Sequence, residues 1–257
     1  MNSAESIQIY DTLIFQQFSK RYFGDFYNVG YWDENIKDQQ IASKNLVDHV
    51  LSGIKYEPKN ILEVGCGLGA VSNVIKGKWA NANVTGINIS ENQINFAKNK
   101  FPDCDFEVMD ATKLTIESDS IDLLVSIEAA NHFNTRIDFL KEAYRVMKPN
   151  SSICMSDLCL RNEEKYAPLY IFNVAKFNYI EGIEQYKGIL SSSGFKNIVV
   201  KDMKSKTWDV WLKKLINFAT QAYENKNLDY ETYMGWVSSK ELLENAAEYY
   251  LYVRAEK

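Results

Sequence analysis

The chain is poor in the residues that bind structural metals. Its 257 residues include only four cysteines and two histidines. No two cysteines form a CxxC pair, and His49 and His132 lie far apart in sequence, so we expect no structural zinc site and no other bound metal. We expect the four thiols to be reduced, as in a cytoplasmic protein.

Long apolar runs and an excess of positive charge are also missing. The most apolar window, 121–130, already contains Asp122 and Glu128, so no membrane span is expected. The first ten residues lack the basic and apolar regions of a signal peptide. The 29 Lys+Arg and 34 Asp+Glu give a net charge of −5. This balance predicts no nucleic-acid partner, because simple electrostatic binders of nucleic acid accumulate cations.

From residue 60 onward, short apolar runs alternate with helical segments. The predicted strands are 60–64, 83–88, 104–108, 121–127 and 151–156, and the predicted helices between them lie near 69–78, 90–101 and 135–147. Such alternation is typical of βαβ units, in which right-handed crossovers place helices on both faces of a parallel sheet.

Helical patterns flank this region on both sides. The predicted flanking elements are helices at 3–20 and 37–53 around an aromatic loop at 22–33, then a helix at 162–192, a strand at 195–202, helices at 207–225 and near 238–246, and a last strand at 247–254. With only 4 prolines and 12 glycines, the chain offers no long linker. These patterns favour one domain that carries an insertion.

Three glycines follow the first predicted strand. Gly65, Gly67 and Gly69 alternate with other residues in ILEVGCGLGA. Glycine permits positive φ and a close approach of the backbone, and at the carboxyl end of a first strand it favours the floor of a nucleotide-like site. The loop with Ala70 also satisfies the dinucleotide fingerprint GxGxxG/A, and a tight strand–helix turn without a ligand remains a third interpretation.

Two acidic residues favour a ligand other than a dinucleotide. Glu63 stands two residues before the first glycine, where a carboxylate suits a cationic ligand better than a pyrophosphate. Asp110 follows the third predicted strand, in DFEVMDAT. A dinucleotide fold does not call for an acid at that position.

The chain resembles the class I S-adenosylmethionine-dependent methyltransferases, in the small-molecule branch that includes natural-product enzymes and cyclopropane synthases. The segments that carry the resemblance are LEVGCGLG at 62–69, VTGINISENQ at 84–93, FEVMDAT at 106–112, IDLLVSIEAANHF at 121–133 and FLKEAYRVMKPNSSICMSD at 139–157. The resemblance implies a Rossmann-like, doubly wound α/β fold with a seven-stranded, mostly parallel sheet and an antiparallel last strand. It also implies S-adenosyl-L-methionine as cofactor and S-adenosyl-L-homocysteine as product.

The resemblance divides the single domain, 1–257, into four parts. They are an N-terminal helical cap at 1–56, a cofactor-binding core at 57–157, a helical lid inserted after strand 5 at 158–194, and C-terminal strands and helices at 195–257. In this arrangement the lid would cover the methyl acceptor.

Cofactor contacts are implied at the ends of four strands and in the aromatic loop. The implied residues are Tyr27, Asn28, Glu63, Gly65, Cys66, Gly67, Asn88, Ile89, Gln93, Asp110, Ala111 and Glu128. Glu63 and the glycines would face the methionine part of the cofactor, Ile89, Asp110 and Ala111 the adenine, and Glu128 the sulfonium region. Where the family usually has an acid for the ribose, this chain has Asn88. Asparagine offers one acceptor and one donor group, so the two-acceptor grip is lost.

An aromatic surface is expected around the acceptor. Tyr31 and Trp32, in a loop that resembles one closing over the cofactor, and Tyr170 and Phe177, in the lid, are expected to contact it. The alternative is that the aromatic residues of the loop simply pack a cap on the sheet. An apolar lid with few cations predicts a hydrophobic or aromatic acceptor of modest size.

His132 is the predicted general base, because it follows the fourth strand in EAANHF and an imidazole accepts protons near neutral pH. Two alternatives are a structural histidine and one that helps to hold an anion. Asp157, at the end of the fifth predicted strand, is expected to orient or assist His132. His49 lies on a predicted helix and is expected to be structural.

The sequence thus predicts methyl transfer to an oxygen or carbon of a small metabolite. A protein of the same fold that binds the cofactor without transferring methyl, cyclase-like or binding only, fits the glycine motif equally well. Methylation of nucleic acid or protein is disfavoured by the charge, and a dinucleotide oxidoreductase is a further rival. The sequence leaves the oligomeric state open.

Overall fold

A seven-stranded sheet forms the centre of the molecule. The computed structural model describes residues 11–12, 16–163 and 178–257. The strands are β1 (Asn60–Val64), β2 (Asn83–Asn88), β3 (Asp105–Val108), β4 (Ile121–Ile127), β5 (Met147–Leu160), β6 (Lys196–Asp202) and β7 (Ala247–Glu256), in the order β3-β2-β1-β4-β5-β7-β6. Strands β1 to β5 pair in parallel, whereas β7 is antiparallel to both β5 and β6. The predicted fold class, including its antiparallel last strand, is confirmed.

The order of the strands places a crevice beside β1. The chain runs from β1 to β2 and β3 on one side, then returns to β4 on the other side of β1. In open α/β sheets, ligands bind outside the carboxyl ends of the strands at such a reversal. The glycine loop after β1 and the turn after β4 therefore meet at one edge of the sheet.

Helices cover the sheet, and several begin at a polar capping residue. The helices are α1 (Gln17–Phe23), α2 (Gln39–Leu51), α3 (Ala70–Lys78), α4 (Glu91–Lys100), α5 (Arg136–Val146), α6 (Ile183–Ser192), α7 (Trp208–Glu224) and α8 (Tyr230–Ala246). The side chains of Asp38, Ser90, Thr135 and Asp229 accept hydrogen bonds from backbone N–H groups in the first turns of α2, α4, α5 and α8. Such caps satisfy donors that the helix itself leaves unpaired.

Two hydrophobic cores lie on opposite faces of the sheet. The neighbouring residues Leu123 and Leu124 of β4 are fully buried but belong to different cores, because successive side chains of a strand point to opposite faces. One core includes Leu46 of α2, and the other includes Phe139 of α5. Burial on both faces explains why the central strands read as continuous apolar runs.

The structure departs from the predicted elements at three places. Strand β5 extends beyond both ends of the predicted 151–156, to Met147–Leu160, and its C-terminal part pairs with β7 as far as Ala247. Helix α8 begins at Tyr230 rather than near residue 238, so α7 and α8 form a helical pair between β6 and β7. Residues 179–182 are not helical and α6 starts at Ile183, which interrupts the helix predicted at 162–192.

Some predictions fall on parts of the chain outside the described residues. These are most of the predicted helix at 3–20, the lid stretch 164–177, and with it Tyr170 and Phe177. Among the described helices, none is long and apolar enough to cross a membrane.

Candidate active site

The glycine loop after β1 is tightly packed at Gly65 and Gly69 and open at Gly67. Gly65, Gly67 and Gly69 all have positive φ, at 80°, 52° and 86°, a region that glycine enters without steric cost. A side chain at Gly65 would collide with Ala129. At Gly67, the nearest described atom to an added Cβ is Gln93 Oε1, at 4.0 Å. The loop therefore offers open backbone surface at Gly67.

The end of β2 presents an amide pair and an exposed aliphatic side chain. Asn88 Nδ2 donates to Gln93 Oε1 at 2.8 Å, and Asn88 Oδ1 accepts from the backbone N–H of Ile89 at 2.7 Å. Ile89, at the edge of the crevice, is 41% exposed. An exposed aliphatic side chain there offers an apolar surface for a flat ring such as adenine.

After β3, Asp110 retains capacity for a further hydrogen bond. Its Oδ1 accepts from the backbone N–H and the hydroxyl of Thr112, both at 2.8 Å. No donor among the described residues reaches its Oδ2, and the next residue, Ala111, is buried. A free carboxylate oxygen beside a small residue suits an amino group on a planar ring.

Glu128, directly after β4, connects three distant parts of the chain. Its φ is 54°, a conformation that is uncommon for a non-glycine residue and often occurs at functional sites. Its carboxylate accepts from the backbone N–H of Val29 at 2.8 Å and from the hydroxyl of Tyr250. Burial raises the pKa of Glu128 to about 7, although both hydrogen bonds lower it.

Asn28, in the aromatic loop, carries a donor that no described residue uses. Its side chain is buried, and its Oδ1 accepts from the backbone N–H of Gly30 at 3.0 Å. Its Nδ2 finds no acceptor within the described parts of the chain. Buried donors are rarely left unpaired in native proteins. The unused donor lies next in sequence to Val29, whose backbone N–H reaches Glu128. The open face of Gly67 and the exposed Ile89 give the crevice features that a nucleoside requires.

Glu63 does not face the crevice as the sequence led us to expect. Its side chain is only 1% exposed and accepts a hydrogen bond from Ser72 of α3. Burial raises its pKa to about 7. The carboxylate therefore connects β1 to α3 in this structure, and a contact of Glu63 with a cationic ligand stays a prediction.

Tyr31 and Trp32 belong to the packing of the cap. Tyr31 stacks on His49 with ring centroids 4.2 Å apart. Trp32 is 2% exposed and its indole N–H donates to the carbonyl of Val29 at 2.8 Å. The stacking gives His49 a structural contact. Contact of Tyr31 or Trp32 with an acceptor stays a prediction.

Tyr27, in contrast, stays partly exposed beside α1. Its ring stacks on Phe23 with centroids 5.2 Å apart. Burial and the negative charge of Asp25 raise the pKa of Tyr27, so its hydroxyl keeps its proton at neutral pH.

His132 ends a short 3-10 turn at Ala130–His132, which begins two residues after Glu128. The side chain is exposed, and its Nε2 lies 3.0 Å from Asn131 Nδ2. Packing around the ring and the positive charge of Arg136 lower the pKa of His132 to about 4. The lowered pKa keeps the ring neutral at pH 7.

Asp157 does not assist His132 directly. Its carboxylate accepts from Arg136 Nε at 2.7 Å and from the hydroxyl of Tyr186 at 2.7 Å. Arg136 also donates to the carbonyl of Asn178, whose own amide donates to the carbonyl of Phe133. This buried network, which we call the Arg136 network (Arg136, Asp157, Asn178, Tyr186), lies next to the turn that carries His132.

Arg136, Asn178 and Tyr186 were not predicted as site residues from the sequence. One signal was available: an arginine at the first position of a helix is unfavourable near the positive end of the helix dipole. Such a placement suggests a buried partner, but the identity of that partner depends on contacts between residues 21 to 42 positions apart.

Comparison with known proteins identifies a family and several relatives that this chain resembles. A family described as "Methyltransferase domain" matches residues 62–155. Erythromycin 3''-O-methyltransferase of Saccharopolyspora erythraea is 26% identical over 215 residues, which cover 75% of this chain and 70% of that protein. Phosphoethanolamine N-methyltransferase of Plasmodium falciparum is 27% identical over 215 residues, which cover 77% of this chain and 79% of that protein.

A solved structure matches the fold over the whole chain. The structure of the [4+2]-cyclase SpnF has a TM-score of 0.76 and 20% sequence identity, covering 100% of this chain and 96% of that one. At this identity the match supports the fold alone. The glycine loop, the ends of β2 to β4 and the turn after β4 all lie within the residues that the family match covers.

Proposed function

Because this chain belongs to the class I S-adenosylmethionine-dependent methyltransferases, we propose that it methylates an oxygen or carbon of a small, hydrophobic or aromatic metabolite. The observation that carries the proposal is His132, a neutral, solvent-accessible imidazole directly beyond β4 and four residues from Glu128. The similarity to an O-methyltransferase of a natural product supports the same acceptor class.

S-Adenosyl-L-methionine is the cofactor, and when bound it supplies a methyl group on a positively charged sulfur. Gly67 would admit it by its open backbone face, Ile89 would pack on the adenine, and Asp110 would accept from the adenine amino group. The unpaired amide donor of Asn28 would meet its polar tail. We further propose that the carboxylate of Glu128 would stabilise the positive sulfur, since an anion in a poorly solvated site acts strongly on a nearby cation.

His132 would act on the acceptor. A neutral imidazole could take the proton of an acceptor hydroxyl as its oxygen bonds to the methyl carbon. The carbon–sulfur bond would break in the same displacement, with neutral S-adenosyl-L-homocysteine as the leaving group. The lowered pKa makes His132 a weak base, but the neutral form is fully populated at pH 7. The Arg136 network would hold the turn of His132 in place through the contact of Asn178 with Phe133.

The test is transfer of labelled methyl from the cofactor to a panel of phenols, lipids and polyketide-like alcohols. We expect His132→Ala to lower kcat by about 10²- to 10⁴-fold, the usual contribution of general acid–base catalysis. His49→Ala, at the structural histidine, serves as the matched control and should keep most of the activity. An unimpaired His132→Ala enzyme, or transfer only to amines, would contradict the proposal.

The rival without methyl transfer gives a different product. Turnover by a methyltransferase releases one S-adenosyl-L-homocysteine for each methylated acceptor, whereas a cyclase-like or purely binding protein releases none. We include a cytoplasmic location in the proposal, because all four cysteines are free and buried, as is common where thiols stay reduced.

A further inference from the structure

Asp11, near the start of the chain, contacts three side chains at the beginning of α4. Ser90 Oγ donates to Asp11 Oδ1 at 2.7 Å, Asn92 Nδ2 donates to Oδ2 at 2.8 Å, and Gln93 Nε2 donates to Oδ1 at 2.9 Å. These partners lie 79 to 82 positions later in the sequence. The residues proposed above for cofactor binding and for catalysis do not include Asp11.

This contact determines which end of the Gln93 amide faces the crevice. An ionised carboxylate accepts hydrogen bonds and cannot donate, so the nitrogen of Gln93 must face Asp11. The amide oxygen then points the other way. There it accepts from Asn88 Nδ2 at 2.8 Å and lies 4.0 Å from the Cβ position of Gly67.

Asn88 cannot supply the acceptor that the ribose side of the crevice requires. Its Oδ1 already accepts from the backbone N–H groups of Ile89, at 2.7 Å, and Ser90, at 3.4 Å. The group it directs toward Gln93 is its amide nitrogen, which only donates. An acid at this position would have offered acceptor oxygens to a sugar hydroxyl.

The resemblance already implies Gln93 as a cofactor contact; we propose that Asp11 is the positioning residue that holds Gln93 Oε1 toward the crevice, where this oxygen accepts from a ribose hydroxyl. An amide oxygen has two lone pairs, so it can accept from Asn88 and from a hydroxyl together. Asp11 and Gln93 jointly replace the carboxylate that is absent at Asn88. The N-terminal segment thereby becomes part of cofactor recognition.

The proposal rests on the cofactor but not on the acceptor, so a binding experiment tests it separately from methyl transfer. We would measure the Kd of S-adenosyl-L-homocysteine, and of an analogue that lacks both ribose hydroxyls, by titration calorimetry. The proteins are the wild type, Asp11→Asn, and Asp11→Asn combined with Asn88→Asp. Glu91→Gln removes a negative charge from the exposed first turn of α4 and serves as the matched control.

We expect Asp11→Asn to weaken S-adenosyl-L-homocysteine binding by about three- to tenfold, since its new amide can donate and lets Gln93 turn its oxygen away. The analogue should bind Asp11→Asn and wild type equally, and Glu91→Gln should match wild type with both ligands. Asn88→Asp should restore the affinity of Asp11→Asn. Ligand-free thermal unfolding checks that every variant folds.

Three results would overturn the proposal: equal weakening of both ligands by Asp11→Asn, no weakening of either, or a loss that Asn88→Asp leaves unrestored. The first would make Asp11 a merely structural contact of α4. If wild type failed to bind S-adenosyl-L-homocysteine at all, the assignment of the cofactor would fall, and this proposal with it.

Discussion

At the scale of single residues, the crevice depends on the charge states of two side chains and on one position that has no side chain. Glu128 holds the cap and β7 together and is half-ionised near pH 7, because its pKa is raised to about 7. Gly67 leaves open backbone surface in the glycine loop because it has no side chain. His132 is held neutral. Each of these features leads to a measurable difference between closely related ligands or variants.

Glu128 should make binding of the cofactor, but not of its product, depend on pH. The raised pKa means that the free protein takes up a proton as pH falls through about 7, and a neutral Glu128 stabilises a cation less. Affinity for S-adenosyl-L-methionine should therefore rise about tenfold between about pH 6 and about pH 8 relative to S-adenosyl-L-homocysteine. Calorimetry at several pH values measures this ratio.

The matched variant for this prediction is Glu128→Gln, which keeps the shape and loses the titration. Its ratio of the two affinities should be flat over the same pH range and should stay near the low-pH value of wild type. A variant that kept the wild-type pH dependence would show that another group is responsible.

Gly67→Ala should lose cofactor affinity with little loss of fold. Its positive φ costs about 1 kcal/mol for alanine, and the new methyl group would project into the open face of the loop. We expect S-adenosyl-L-homocysteine binding to weaken by about tenfold or more, while Tm falls by only about a few degrees. Gly77→Ala, in the solvent-facing part of α3, is the control and should leave binding unchanged. Wild-type affinity in Gly67→Ala would argue against a ligand at this loop.

At the scale of elements, the Arg136 network fixes α5 and α6 to the end of β5. Arg136 and Asp157 are both fully buried, and Tyr186 of α6 completes the carboxylate's partners. Removing one member of a buried ion pair leaves the other charge uncompensated, at a cost of about 3–5 kcal/mol. Because Asn178 of this network donates to the carbonyl of Phe133, the network also holds the turn that carries His132 in place.

Tyr186→Phe should lower the free energy of unfolding by about 1–2 kcal/mol, because it removes one buried hydrogen bond and leaves the Arg136–Asp157 pair intact. Urea unfolding measures the loss. Tyr230→Phe removes a hydroxyl from a side chain that is 60% exposed, and as the control it should change stability by less than about 0.5 kcal/mol. Equal effects of the two substitutions would show that the Asp157 contact carries no stability.

The elements themselves were largely predictable from the sequence, because a strand's apolar run or a capping residue is a local pattern. The bounds of β1, β2 and β4 match the predicted strands. The directions of Glu63 and Asp157 were not predictable. A buried acid takes the partner that folding brings to it, and Ser72 and Arg136 approach from helices that the local pattern does not orient.

At the scale of the whole molecule, contacts far apart in sequence assemble the crevice. Val29 of the cap reaches Glu128 across 99 positions, and Tyr250 of β7 reaches it across 122. Asp11 joins the same region from the N-terminal side. The sequence motifs predicted where the crevice forms and that the aromatic loop lies beside it, but not the contacts made by Asp11 and Tyr250.

The most direct test of the account is thermal unfolding with S-adenosyl-L-homocysteine, with NADH as the control ligand. A ligand at about 100 times its Kd should add about 2.7 kcal/mol, which raises Tm by roughly several degrees. We predict this rise with S-adenosyl-L-homocysteine alone, and a rise of about half that size or less in Gly67→Ala at the same ligand concentration. No rise, or an equal rise with NADH, would contradict the assignment of the cofactor and of the methyl-transfer site built around it.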